Sequence, residues 1–235
     1  MKRYPIYLVL ASLTLLSCQK ILFNDEETTR VFSFEEFNAA EISGIFNIVL
    51  IQDSTNKLVI KGNNDINSIK ANIKDEILII DDPRKMSFNT DKNTLELHFR
   101  NLENLTTFDP VSVSNEDTIR GDLFVFNAVV EVAEVNLVVD CNVFVVTSGN
   151  TIGNFMLSGK ADYCYLYCLF GCNYFAGDLS CRIAEILNGS VGDVYINASE
   201  NLKAHILGPG NIYYHGTPFI EIIEKRGEGK IIHLD

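Results

Sequence analysis

The C-terminal half of the chain repeats one short pattern, in which a leucine precedes a glycine-containing turn and a strand that carries tyrosine. The pattern begins at 157 as "LSGKADYCYLY", at 187 as "LNGSVGDVYIN" and at 207 as "LGPGNIYYHG". Repeats of this length are typical of solenoids, because stacked coils bury apolar faces that no single coil can bury. A phosphate-binding glycine loop leads into a helix, whereas "NIYYHG" reads as a strand. The repeat therefore predicts structural turns.

Glycine recurs at these predicted turns, where the chain needs a positive φ or a close approach between two backbones. A weaker copy of the pattern, "VTSGNTIGNF", begins at 146. We assign a structural role to five glycines: Gly159, Gly189, Gly208, Gly210 and Gly216.

The rest of the chain after residue 30 shows no convincing amphipathic helix and consists of short runs rich in β-branched and aromatic residues. Polar "TNK" joins "NIVLIQDS" to "LVIKG", and "KDE" joins "IKANI" to "ILIID", which predicts two antiparallel hairpins. We expect an all-β fold, a short β-solenoid with antiparallel hairpins on its N-terminal side. The hairpins and the C-terminal "FIEIIEKRGEGKIIHLD" would cover its open edges.

The N-terminus reads as an export signal, with Lys2 and Arg3 before an apolar run of about eleven residues that is too short to span a bilayer. The following "LLSC" resembles a bacterial lipobox, in which the cysteine is acylated. This predicts a lipoprotein signal peptide at 1–17, a lipidated Cys18 and a polar linker at 18–30, so that a lipid anchor attaches the protein to a membrane. An ordinary secretory signal with an incidental cysteine is the alternative.

Composition limits the possible partners. Apolar residues make up 47% of the 235 residues, enough for a core, and the formal net charge is −12. Nucleic-acid binding depends on cationic side chains that neutralise phosphates. We therefore expect no nucleic-acid partner.

Five cysteines remain after Cys18: Cys141, Cys164, Cys168, Cys172 and Cys181. An odd number leaves at least one thiol free. In "CYLYCLFGC" the spacing of four puts Cys164 and Cys168 on one face of a strand, which favours buried core positions. A single disulfide is a second possibility, and a metal site is the least favoured.

An enzymatic interpretation depends on four aspartates spaced 15 to 22 residues apart, which could line one face of a solenoid: Asp140, Asp162, Asp178 and Asp193. Only Lys160 and Arg182 supply bases between residues 140 and 200. Each aspartate also lies within two residues of Asn, Gly or Tyr in a predicted turn, where its side chain satisfies the backbone. The chain lacks a GxSxG motif, and its histidines are scattered. We expect no catalytic residues, metal or cofactor.

Tyrosines give the positive indication of binding. Tyr163, Tyr165 and Tyr167 share one face of a strand whose other face carries cysteine and leucine, a better interior. An outward row of rings could pack on sugars or a protein partner, whereas an inward row would fill the core. Tyr195, Tyr213 and Tyr214 occupy similar places in the later copies.

Several of these segments together resemble the head GIN domain family of putative auto-transporter adhesins, common in exported Bacteroidetes proteins. The matching pieces are "FSFEEFNAAEISGIFNIVLIQDSTNKLVIKGNNDINSIKANIKDEILIID", "LSGKADYCYLY", "AGDLSCRIAEILNGSVGDVYINASENLKAHILGPGNIYYHGTP" and "GEGKI". The likeness covers 31–235 as one domain and departs at 83–135. It implies a right-handed, pectin-lyase-like β-helix with an adhesive role and without known catalytic residues.

Together these features predict a non-enzymatic, lipid-anchored protein of the outer membrane, facing the periplasm or the exterior, that binds glycans or proteins. Two alternatives stay open at this point. One is a carbohydrate-active enzyme on the same scaffold, and the other is a structural envelope component without a specific ligand.

Overall fold

The computed structural model describes residues 28–62, 66–84, 93–130 and 132–235, and this part of the chain is built almost entirely from strands. One short 3-10 turn, Ile66–Ser68, interrupts them. The strands are β1 (Thr28–Ser33), β2 (Ala39–Ser43), β3 (Phe46–Gln52), β4 (Lys57–Gly62), β5 (Lys70–Lys74), β6 (Ile77–Asp81), β7 (Asn93–Phe99), β8 (Asn104–Thr107), β9 (Val111–Asn115), β10 (Ile119–Ala128), β11 (Val132–Ser148), β12 (Ile152–Ser190), β13 (Val194–Ile206), β14 (Ile212–His215), β15 (Phe219–Lys225) and β16 (Ile231–His233).

The expected β-solenoid is confirmed by the way in which these strands pair. From β8 onward every pairing is parallel, and each residue lies beside the equivalent residue of the next coil. Val143, for example, pairs with Tyr163, and Asn201 pairs with Phe219. The 39-residue β12 passes through two coils, because its first part pairs with β11 and its last part with β13.

The coils of β10 to β13 contribute to three ladders, which define three faces of the solenoid, and the coils at either end contribute to faces A and B. Face A contains β7, β3, β9, the first parts of β11 and β12, the later segment 174–176 of β12, the first part of β13, and then β14 and β16. Face B contains β6, β2, β8, the second parts of β10 to β13, and β15. Face C is narrow, with the paired segments 119–121, 139–141 and 159–161, followed by 180–181 with 197–198.

The core lies inside the three faces, because alternate side chains of every strand point inward. In β7 the alternation between buried and half-buried residues is complete from Asn93 to Phe99. Inward rings also stack from coil to coil, as Phe155 and Tyr174 do with ring centroids 4.6 Å apart. Contacts between equivalent residues of neighbouring coils therefore stabilise the stack.

The N-terminal end is covered by antiparallel strands, as the sequence predicts. The "KDE" hairpin is confirmed, because β5 pairs with β6 and its turn residues Asp75 and Glu76 have φ values of 51° and 63°. Two left-handed residues match the turn type that two-residue hairpin loops favour. The hairpin predicted between "NIVLIQ" and "LVIKG" is wrong. Strand β4 pairs with β1 and β7, while both neighbours of β3 are parallel coils.

At the opposite end, β15 and β16 form the last coil of the described stack. Strand β15 pairs only with β13, and β16 only with β14. The segment "FIEIIEKRGEGKIIHLD" therefore covers the preceding coil, as expected, but its own outer edges have no partner strand among the described residues. Phe219 is 71% exposed and Ile222 is 55% exposed at this end.

Residues 83–135, where the family likeness departs, include β7 to β10. The coil formed by β2 and β3 packs between two other coils. One of these consists of β6 and β7, and the other consists of β8 and β9. At the N-terminal end, the order of the coils in the stack therefore differs from their order along the chain. The first described strand begins at Thr28, three residues before the predicted domain start at residue 31.

Glycines occupy two different corners of the coil, which corrects the sequence alignment of the repeats. The corner from face B to face A contains three of the predicted glycines: Gly189, Gly208 and Gly210. Gly159 pairs with Val139 on face C instead, with φ of +106°. A Cβ on Gly159 would lie 2.0 Å from the carbonyl oxygen of Val139. "LSGKADYCYLY" and "LNGSVGDVYIN" are therefore not equivalent segments.

Gly216 lies at the end of face A with φ of +89°, and a Cβ there would lie 2.2 Å from the carbonyl oxygen of Ala198. In the other corner, a Cβ on Gly208 would lie 2.4 Å from the carbonyl oxygen of Ser190. A Cβ on Gly189 would instead meet a side chain, the Cδ2 of Leu169, at 2.4 Å. Close coil-to-coil packing thus accounts for glycine at Gly159, Gly208 and Gly216.

Candidate functional site

The three tyrosines singled out in the sequence lie side by side on the outer surface of face B. Tyr163, Tyr165 and Tyr167 are each half-buried. Cys164 and Cys168, which alternate with them, are fully buried. The outward direction therefore follows from the two-residue period of the strand, since the smaller side chains fill the interior.

Tyr163 is tied to the next two coils through Glu185. The phenol oxygen of Tyr163 donates a hydrogen bond to Oε2 of Glu185 at 2.9 Å. Nε2 of His205, one coil further on, lies 3.5 Å from Oε1 of the same carboxylate. The hydroxyl of Tyr163 therefore links its own coil to the next one.

Burial raises the pKa of Tyr163, and the hydrogen bond to the Glu185 carboxylate raises it further. Burial also raises the pKa of Tyr165, with a contribution from the same carboxylate. Both phenols therefore stay protonated at neutral pH, and the single O–H of Tyr163 is already donated to Glu185.

Aliphatic side chains flank Tyr163 and Tyr165 on one side, whereas Thr147 pairs with Tyr167 and the Glu185 carboxylate lies on the other side. In the preceding coil, Val143 pairs with Tyr163 and Val145 pairs with Tyr165. Outward aliphatic side chains of the same face are half-buried, which leaves part of each in contact with water. We call this the tyrosine face, and it consists of Leu123, Val125, Val143, Val145, Tyr163, Tyr165, Tyr167, Ile183 and Leu187.

A second aromatic row, which the sequence analysis placed wrongly, lies on face A. Tyr195 stacks on Phe175 with ring centroids 5.5 Å apart and on Tyr213 at 4.8 Å. Tyr214 points inward, because it pairs with the buried Ile196. The prediction that these tyrosines continue the Tyr163 row is wrong. The corner turn at 187–192 follows face B, so the tyrosine after it belongs to face A.

The rings on face A use their flat surfaces to stack on one another, since the interplanar angles are 17° and 10°. A neighbouring ladder of amides and carboxylates strengthens the same coils. Asn211 donates its backbone N–H to Oδ1 of Asp193 at 2.7 Å, and Oδ1 of Asn211 accepts from the backbone of Lys230 at 3.0 Å. This row therefore has a structural role in the stack.

The four aspartates of the enzymatic interpretation are not brought together. Asp140 and Asp162 line a shallow groove on face C, while Asp193 holds the backbone of the next coil on face A. Asp178 lies in the register shift between Ala176 and Ser180. Arg182 pairs with Asp162 at 3.3 Å and with Glu200 at 2.8 Å, so that these two carboxylates already have a partner.

All five described cysteines are buried free thiols, and most point into the core. Cys172 donates to the carbonyl oxygen of Thr151 at 2.9 Å, and Cys168 to that of Cys172 at 3.4 Å. The core position expected for Cys164 and Cys168 is thus confirmed, and the described residues contain no disulfide. Within the same ranges, no group of three or more potential ligands could hold a metal ion.

The predicted signal peptide, the predicted lipidation site Cys18 and the first part of the predicted linker lie outside the described residues. Across the residues that are described, no helix has the length and the apolar character needed to cross a bilayer.

Comparison with known proteins extends this picture. The family model described as "Putative auto-transporter adhesin, head GIN domain" matches residues 36–218. No curated protein matches the chain.

Solved structures share the fold at low sequence identity. A putative adhesin from Bacteroides fragilis is 24% identical, with a TM-score of 0.74, and the alignment covers 90% of this chain and 99% of that one. A putative adhesin from Parabacteroides merdae is 19% identical, with a TM-score of 0.61 and coverage of 90% and 98%. A Parabacteroides distasonis protein described as a putative lipid binding protein is 15% identical, with a TM-score of 0.61 and the same coverage.

The family model extends over most of the chain and includes the tyrosine face, and the fold agrees with that of these structures. The chain therefore belongs to the head GIN domain family of putative auto-transporter adhesins.

Proposed function

We propose that this protein is a non-enzymatic adhesin of the cell envelope, held at the outer membrane by a lipid on Cys18, which binds its target through the tyrosine face. The observation that carries the proposal is the row of outward, half-buried Tyr163, Tyr165 and Tyr167 beside an aliphatic surface. Membership of an adhesin family supports a binding role.

The chemistry of the tyrosine face favours a protein partner over a glycan. Phenol rings combine a large apolar area with a hydroxyl at the rim, which is why tyrosine is enriched at protein interfaces. Valine and isoleucine neighbours extend the apolar area but supply no groups for sugar hydroxyls. Glu185, Lys203 and His205 lie beside the rings and provide a charged rim.

The enzymatic alternative has less support. Arg182 already pairs with two carboxylates, and the four aspartates lie on different parts of the coil. General acid–base chemistry needs carboxylates that converge on one substrate atom. A structural protein without a ligand remains the second alternative, and a variant with all three tyrosines changed to alanine distinguishes it from an adhesin.

A binding screen tests the proposal. The full chain with Cys18→Ala is offered to envelope fractions, whole cells and a glycan panel, beside the same chain with Tyr163, Tyr165 and Tyr167 all changed to alanine. We expect the triple variant to lose at least tenfold in affinity for the target while its circular dichroism stays unchanged. Equal binding by the two proteins would rule out the tyrosine face.

The anchor has its own test. Fractionation of cells that produce the wild-type chain should place it with the membranes, and Cys18→Ala should release it into the soluble fraction. Retention of Cys18→Ala on the membrane would contradict lipidation at this residue.

A further inference from the structure

Face C carries a groove that the adhesin proposal does not use. It has a volume of about 420 Å³ and crosses four coils, which contribute residues 140–142, 160–162, 180–182, and 197 with 199. Its floor consists of small side chains, since Cys141 pairs with Ala161 and Cys181 pairs with Ala198 in the following coils. These floor residues belong to the core, so the exposed side chains on either side of them shape the groove.

Two polar rows form the walls of the groove. One row contains Asp140 beside Lys160 and Ser180 beside Asn197, each pair in register. The other row is held by hydrogen bonds between coils. Nδ2 of Asn142 donates to Asp122 at 2.7 Å, and Arg182 bridges Asp162 and Glu200. The second wall is therefore fixed before any ligand arrives.

Lys160 stands out on the first wall, because its ammonium group makes no hydrogen bond or ion pair with any described residue. It lies in register with Asp140, which is exposed as well. These two side chains offer a donor and an acceptor to a ligand in the groove.

The charges in and around the groove indicate which class of ligand it could bind. Charges of both signs line the groove, since Asp140 and Asp162 lie beside Lys160 and Arg182, and the paired carboxylates Asp122 and Glu200 border it on a chain with a net charge of −12. An anionic polymer would be repelled by the whole protein, and a cationic one would bind the rest of the surface as well. A neutral ligand rich in hydroxyl groups matches the alternation of donors and acceptors.

The groove also repeats along the solenoid axis, because neighbouring strands lie about 4.8 Å apart. A polymer of similar units that follows the axis would meet one set of polar side chains in each coil. We propose that the face C groove binds a neutral oligosaccharide, one that extends along the axis over the four coils that line the groove. This site is separate from the tyrosine face and does not depend on it.

The test measures binding of neutral gluco-, manno-, xylo- and galacto-oligosaccharides, each of three to six units, to the full chain by calorimetry and by NMR. We expect saturable binding of one of these series. Ser180→Trp should weaken it at least tenfold, because Ser180 is exposed in the groove and the indole would occupy it. Lys160→Ala should weaken it as well, by removing the unpaired donor.

Two controls separate this site from general surface effects. Asn136→Trp puts the same bulk on an exposed position of face A and should bind like the wild type. The triple alanine variant of Tyr163, Tyr165 and Tyr167 should also bind the oligosaccharide normally, whatever its effect on adhesion. An absence of binding to all four series at millimolar concentration, or unchanged binding by Ser180→Trp, would overturn the proposal.

Discussion

Gly210 packs so closely on Gly192 of the preceding coil that a Cβ on Gly210 would lie 1.8 Å from the carbonyl oxygen of Gly192. Their coils also share a hydrogen bond, from the N–H of Gly210 to the carbonyl oxygen of Ser190 at 3.1 Å. Backbone contacts of this kind recur at one corner of the last coils, where Gly229 packs on Gly210 in turn. The distance between coils therefore depends on the missing side chains.

Gly210→Ala should destabilise the protein by about 1–3 kcal/mol, because the added methyl group forces the two coils apart. Chemical denaturation measures the effect. Gly149→Ala is the matched control, since a Cβ at Gly149 meets nothing within 4 Å. The control should change the free energy of unfolding by less than 1 kcal/mol. Equal effects of the two substitutions would contradict close packing at Gly210.

Asn188→Ala should cost on the order of 3 kcal/mol, because it leaves several buried backbone groups without partners. Nδ2 of Asn188 donates to the carbonyl oxygens of Gly192 at 3.2 Å and Asn211 at 3.3 Å, and its Oδ1 accepts from the N–H of Ser190 at 3.0 Å. Thermal and chemical unfolding measure the loss. The exposed Asn150, at the equivalent corner two coils earlier, should tolerate alanine with a change below about 0.5 kcal/mol. A similarly small change for Asn188→Ala would show that the corner does not depend on this side chain.

Asp53 should make stability depend on pH in the acid range. Partial burial raises its pKa, but hydrogen bonds from Thr55 and His98 outweigh this effect and lower the pKa to about 2. The folded pKa lies below the unfolded value of about 4, so the stabilisation is present above pH 4 and is lost as the pH falls toward 2. At pH 5, Asp53→Asn should cost less than about 1 kcal/mol because the pair is partly exposed to solvent.

The difference between Asp53→Asn and the wild type should therefore disappear near pH 2, as followed by urea unfolding at several pH values. Asp117→Asn, at an exposed site, serves as the control and should show no such trend. A difference that persists unchanged from pH 5 to pH 2 would refute the assignment to the Asp53 carboxylate.

The five described cysteines should resist alkylation in the native protein, because all are buried. A short iodoacetamide pulse followed by mass spectrometry should find Cys141, Cys164, Cys168, Cys172 and Cys181 unmodified before unfolding and alkylated after unfolding without reductant. Modification that requires a reductant would reveal a disulfide instead of free thiols.

The solenoid itself could be predicted from the sequence, because turns and strands alternate along it and two-residue periodicity separates Tyr163 from Cys164. The inward positions of Cys164 and Cys168 follow from the same period. Local patterns also predict the β5–β6 hairpin, where two polar residues join two apolar strands.

The register between coils could not be predicted in the same way. "LSGKADYCYLY" and "LNGSVGDVYIN" look alike, yet Gly159 lies on face C and Gly189 at the corner between faces B and A. A coil with three faces presents several glycine corners, and a short motif does not tell them apart. The insertion of β2 and β3 between later coils is a long-range pairing, which local sequence does not encode.

The positions of the face C groove and of Tyr195 also depend on the register between coils, so local sequence does not predict them. The face C groove is formed by residues about 20 positions apart, such as Asp140 and Lys160, and no contiguous motif marks it. The sequence pattern also places Tyr195 on the wrong face, because the face depends on which corner precedes the residue.

The central claim is that the tyrosine face, and not aromatic surface in general, binds the target. The most direct measurement compares the dissociation constants of three proteins for the same target preparation. These are the wild-type chain, the alanine triple of Tyr163, Tyr165 and Tyr167, and a matched alanine triple of Phe175, Tyr195 and Tyr213 on face A. We predict at least a tenfold loss for the first triple and wild-type affinity for the second. Wild-type affinity in the first triple, or equal losses in both, would contradict the account.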